Sequence, residues 1–251
     1  PTLYVYDVET NELLEQINTT HQGPRLYTSP EGRYAIATFR EQNLVEFVDG
    51  GYYRLPHDDH FDVFENTPSM TDFQLTDVKP THYKLGGEMS ALFFDGDEDS
   101  GANAGLALMS DESIAESKIL AKQDFDYAVH GTAEIRGDYV LTTVKSKGNT
   151  AFLPDNIVLL HRHDDHFHQE QVFDVSCPDL HGSYQNEHHI AFACSDGVVV
   201  IEQEGDLFTA SKIANPDSMP EGVRIGSLRG HMESHLMAGM SRGGIFTVDL
   251  E

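Results

Sequence analysis

Tryptophan is missing from the 251 residues, cysteine occurs only twice, and 16 basic residues face 42 acidic ones. The first absence removes the Trp-Asp dipeptide of one class of propeller repeat, though not propeller architecture itself. The shortage of Lys and Arg leaves a net charge of −26, which argues against nucleic-acid partners and anionic membrane surfaces. No run of about 18 apolar residues exists, so no membrane-spanning helix is expected. The chain begins at Pro1 without Met or an apolar leader. Any export signal is therefore expected to have been removed or to lie outside this sequence. No Gly-rich phosphate loop precedes a helix, and no Gly-x-Ser-x-Gly turn is present. Arg136-Gly137-Asp138 reads as a tight turn. Nothing resembles a nucleophile with its base, and the protein is not expected to be an enzyme of those classes.

Histidine, in contrast, is plentiful: 14 residues, and clustered. In Leu160-His-Arg-His-Asp-Asp-His-Phe-His-Gln-Glu170 a hairpin closing at Asp164-Asp165 pairs His163 with His166 and His161 with His168. Side chains two apart on a strand share a face, and opposed residues lie a few ångströms apart. Four imidazoles therefore share one face, with Asp164, Asp165 and Glu170 close by. Zn2+ takes such nitrogens at about 2.0–2.1 Å. The alternative is a solvated hairpin that happens to be His-rich. A second copy, His57-Asp-Asp-His-Phe61, lies 163 − 57 = 106 residues upstream. It offers His57, His60 and Asp62, with Asp62 standing where the other copy has His168.

Short alternating runs separated by Gly, Asn and Asp recur along the chain, and helical periodicity is almost absent. Tyr34–Phe39, Leu44–Val48, Ser90–Phe94, Tyr139–Val144 and Val198–Ile201 are examples. Asp111–Ala121 is expected to hold a short helix or an irregular excursion, and acidic Asp95–Asn103 an exposed loop. His82, His130 and His181 each stand eight residues before the same point of an apolar run, and His21 joins them if a turn is inserted before Tyr34. This period predicts an all-β fold, a β-propeller of four-stranded antiparallel blades. Residues 1–251 are read as one propeller domain. Its full blades are expected at 19–66, 79–126, 127–176 and 178–214, with a partial fifth at 221–251 and Leu3–Ile17 left over as a strand pair. About five blades are visible, and the ends do not complete one another, so a larger ring is expected. The 106-residue offset is read as two blades.

His21, His82, His130 and His181 start the innermost strands of successive blades and are expected to converge on the central axis. Glu221 sits near the equivalent place in the fifth blade. They serve either as metal ligands or as structural residues bonding backbone between blades. Cys177 and Cys194 flank a strand pair of the fourth blade. They are either a disulfide, which implies an oxidising compartment, or two buried thiols.

Val45-Glu-Phe-Val-Asp-Gly-Gly51, the two His-Asp-Asp-His-Phe stretches and His130-Gly-Thr132 give the chain a resemblance to the bacterial AztD family. These are periplasmic β-propeller zinc metallochaperones that serve a zinc ABC transporter. The resemblance implies high-affinity zinc sites, a periplasmic or cell-surface location, and delivery of zinc to the transporter's solute-binding protein. It also implies a longer full-length chain. Two other readings stay open: a copper-dependent redox enzyme using the innermost-strand His, and an interaction propeller whose His are structural.

Overall fold

The structure, a computed structural model, describes residues 1–220 and 222–251; Glu221 lies outside the described residues. It is built almost wholly of short antiparallel strands in chain order. Two compact units, residues 1–127 and 128–251, are described separately.

In the first unit, β1 (Thr2–Tyr6) pairs with β2 (Leu13–Asn18). The first blade follows as β3 (Arg25–Thr28), β4 (Tyr34–Phe39), β5 (Leu44–Asp49) and β8 (Ser69–Leu75). Between its third and fourth strands stands a separate two-stranded hairpin, β6 (Tyr52–His57) and β7 (His60–Glu65). The second blade comprises β9 (Pro80–Gly86), β10 (Met89–Phe94), β11 (Gly105–Met109) and β12 (Ala121–Asp124). The second unit holds the third blade, β13 (Ala133–Arg136), β14 (Tyr139–Val144), β15 (Asn156–His163) and β16 (His166–Val172). The fourth is β17 (Ser183–Gln185), β18 (His189–Ala193), β19 (Gly197–Glu204) and β20 (Leu207–Ala214). A three-stranded sheet, β21 (Ile225–Gly230), β22 (Leu236–Ser241) and β23 (Gly244–Asp249), completes the unit.

The four-stranded sheets and the three-stranded one are blades of a β-propeller, and their inner strands show why. A strand buried on both faces has no polar side to show, so its apolar residues run on continuously. In β18, Ile190 and Phe192 join Leu141, Ile157 and Leu159 of the preceding blade. The intervening Ala191 and Ala193 meet Ile225, Leu228 and Met237 of the following sheet. Large side chains thus fill one inter-blade space, while alanines let the other close tightly. In the first unit, Ile36 and Phe47 meet Leu92 and Phe94 in the same manner.

Two expectations need correction. The first blade ends with β8 at Leu75, so residues 52–65 are an insertion and not its outer strands. The two His-Asp-Asp-His copies therefore occupy different places in their blades. Asp95 does not lie in an exposed loop: it is buried and bound to Arg40 at 2.8 Å. The excursion near Asp111 is a short helix, α1 (Asp111–Ala115), with a Ser110–Ser113 capping box. Cys177 and Cys194 form a disulfide, which ties the segment leading into β17 to the end of β18.

Candidate metal centre

The β15–β16 hairpin has the expected register, with His163 opposite His166 and His161 opposite His168. Its turn depends on Asp164, which adopts a positive φ of 55°. Asp tolerates that region better than most side chains because its short polar group bonds locally. All four imidazoles gather on one face. Ring centroids lie 4.4 Å apart for His161–His163, 4.9 Å for His163–His168 and 5.1 Å for His166–His168.

Two pairs of donors emerge. His166 Nε2 lies 3.3 Å from His168 Nε2. His161 Nδ1 lies 3.6 Å from a carboxylate oxygen of Glu170, and His161, His163 and Glu170 bring donor atoms within 4.8 Å of one another. Glu170 enters through a break in register: Leu160 pairs with Gln169 and Leu159 with Gln171, so Glu170 is the extra residue of a bulge. Strict alternation gives no warning of this. Tyr139, opposite His161 on β14, stacks on its ring at 4.4 Å.

Tetrahedral zinc with bonds near 2.0–2.1 Å sets its ligand atoms about 3.3 Å apart. The His166–His168 and His161–Glu170 separations, 3.3 and 3.6 Å, lie close to that figure. Imidazole and carboxylate are also ordinary zinc donors, so the residues fit the ion. The ligands stand at an exposed hairpin end, so partial coordination and exchange are sterically open.

The innermost-strand histidines are placed as follows. In the second unit, His130 and His181 precede β13 and β17, and their Nε2 atoms lie 3.2 Å apart with the rings stacked at 5.1 Å. His181 Nδ1 is 2.8 Å from the Gly226 carbonyl. A carbonyl only accepts, so Nδ1 carries the proton and Nε2 keeps its lone pair toward His130. The strands behind them are joined by Ser183, whose hydroxyl donates to buried Glu134 at 2.6 Å and lies 3.3 Å from Thr132 Oγ1. In the first unit, His82 is half-buried on β9 opposite Phe93. His21 packs edge-on against Phe39 at 5.8 Å, and its carbonyl accepts from the Thr19 hydroxyl.

His57, His60 and Asp62 come together at the tip of β6–β7 with donor atoms within 4.8 Å. His188 and His189 have their rings 6.4 Å apart. His235 is held by Asp249 at 2.8 Å. Sequence reasoning missed Tyr139 and the Gly226 carbonyl. The first is signalled only by strand pairing, and the second has no side chain to read.

No protein-family model matches the chain. It is similar to the zinc chaperone AztD of Citrobacter koseri, with 24% identity over 225 residues, 88% of this chain and 50% of that protein. The chain thus spans about half the length of this curated relative. Structures of C. koseri AztD superpose with TM-scores of 0.74 (the apo form) and 0.75, both at 20% identity. Each covers the whole of this chain, and 68% and 67% respectively of the relative's. A functionally unknown protein from Desulfotomaculum acetoxidans has a TM-score of 0.61 at 9% identity, over 95% of this chain and 69% of its own.

Proposed function

We propose that this protein binds zinc outside the cytoplasm and delivers it to the solute-binding protein of a zinc ABC transporter, acting as a metallochaperone and not as an enzyme. The observation that carries the reading is the β15–β16 face. There, four imidazoles and Glu170 share one face of a hairpin, with His166 and His168 donors 3.3 Å apart, His161 and Glu170 donors 3.6 Å apart, and His163 within 4.8 Å of the latter two. The similarity to a zinc chaperone supports the choice of ion. The Cys177–Cys194 bridge suits an oxidising compartment such as the periplasm.

Delivery needs ligands that a partner can take over one at a time, and this hairpin offers them. Its set is read as the exchange site. His130 and His181 are read as the storage site, with His82 and His21 assigned to the same role by their shared repeat position. Zinc and the proton compete for one lone pair on each imidazole, so acidification weakens binding and favours release.

The test is transfer of zinc to the purified solute-binding protein, followed with a zinc indicator. The double change His163→Ala and His166→Ala is expected to abolish transfer while the zinc at the His130–His181 storage site stays tightly held. Transfer at the unchanged rate would overturn the assignment.

A further inference from the structure

The β6–β7 hairpin belongs to no blade. It interrupts the first blade between β5 and β8 and forms a sheet of two strands only. Two-stranded hairpins in water are marginally stable without a further strand or a packed face. This one is fastened at its base. Tyr53 stacks on Phe64 at 4.9 Å, the Arg33 guanidinium lies 3.6 Å over Tyr53, and Asn66 N–H donates to the Gly51 carbonyl. Toward the tip that support ends. Leu55, Phe61 and Val63 are all exposed, Phe61 by 63%.

The tip instead holds metal donors. Asp58 in its turn has φ 51°, as Asp164 in the other copy has φ 55°. It sets His57 opposite His60, with Leu55 opposite Asp62. The Asp62 carboxylate lies between the two rings, one oxygen 3.1 Å from His57 Nδ1 and the other 3.5 Å from His60 Nε2. Tetrahedral zinc wants its ligand atoms about 3.3 Å apart. The three donors come from both strands, His57 from β6 and His60 and Asp62 from β7. A metal held by them is a cross-strand link at the end where packing provides none.

We propose that this hairpin is a zinc-ordered arm: zinc bound by His57, His60 and Asp62 fastens its two strands together, so that arm order reports zinc occupancy. Three protein ligands leave a fourth position for water or for an incoming ligand. The site differs from the β15–β16 set in one further way, because that hairpin is already held within a four-stranded sheet. The inference requires only that the tip take zinc, and it does not depend on delivery to a transporter.

The test uses the full chain with Zn2+ alone. Hydrogen–deuterium exchange is followed over residues 52–65, and bound zinc is counted in parallel. Zinc is expected to slow exchange of the arm amides tenfold or more, in the unchanged protein and in the His163→Ala, His166→Ala variant alike. The His57→Ala, His60→Ala variant is expected to lose this protection and one zinc per chain, with its metal-free unfolding midpoint unchanged. Asp62→Ala is expected to weaken the protection. Asp62→His, which copies the residue at position 168, is expected to keep it. Arm exchange that is unaffected by zinc would overturn the proposal, as would unchanged zinc stoichiometry after loss of both His. Failed transfer to a solute-binding protein with arm protection intact would overturn only the delivery reading.

Discussion

At the scale of single residues, partners decide what each histidine can do. His181 is committed by the Gly226 carbonyl to present Nε2. His235 is committed to Asp249: the hydrogen bond to that carboxylate raises the His235 pKa, and the same bond lowers that of Asp249. The sign follows from the two directions. Protonated His235 favours the folded state, so its contribution is complete below the ordinary imidazole value and fades as pH rises through the raised one. The Asp249 contribution is present above the ordinary carboxylate value and fades as pH falls through the lowered one. The pair therefore acts in the window between. Asp249→Asn is expected to bring the His235 titration midpoint down, as read by NMR of the imidazole protons. Asp95 shows a limit of sequence reading at this scale. A carboxylate buried on Arg40 and one facing water look alike in an acidic stretch, because only the fold brings Arg40 to it.

At the scale of elements, the hairpins were legible in detail and their setting was not. The Asp-Asp turn and period-two alternation fix which imidazoles oppose one another, and the β15–β16 register follows residue by residue. The same local pattern in residues 57–61 says nothing about whether its strands join a blade. That depends on β8, which follows the insertion and pairs with β5. Glu170 was reached through a bulge, which shifts alternation without any marker residue. The short innermost strands β13 and β17, of four and three residues, are too brief to show a period. The loop into β17 carries a further prediction. Gly182 has φ +90°, and a Cβ there would lie 2.7 Å from the Gly226 carbonyl oxygen, the acceptor for His181. Gly182→Ala is expected to cost about 1–3 kcal/mol of stability through backbone strain. It should also weaken zinc binding at the His130–His181 pair by about tenfold or more, since a ligand loses its orienting partner. Denaturant titration and competition against a zinc indicator check the two effects.

At the scale of the whole chain, repetition made the fold readable. Equivalent His residues at intervals of 61, 48 and 51 residues marked the blades, and apolar second strands marked the cores between them. The net charge of −26 draws cations toward the surface, while the hairpin brings together donors that could hold a metal ion. The most direct test of the central claim is metal content by mass spectrometry after zinc loading and dialysis against a modest chelator, comparing the unchanged protein with His163→Ala, His166→Ala. Retained zinc, with one fewer ion per chain in the variant, is the expected result. Equal zinc in both proteins, retention of copper in place of zinc, or no retained metal would contradict it.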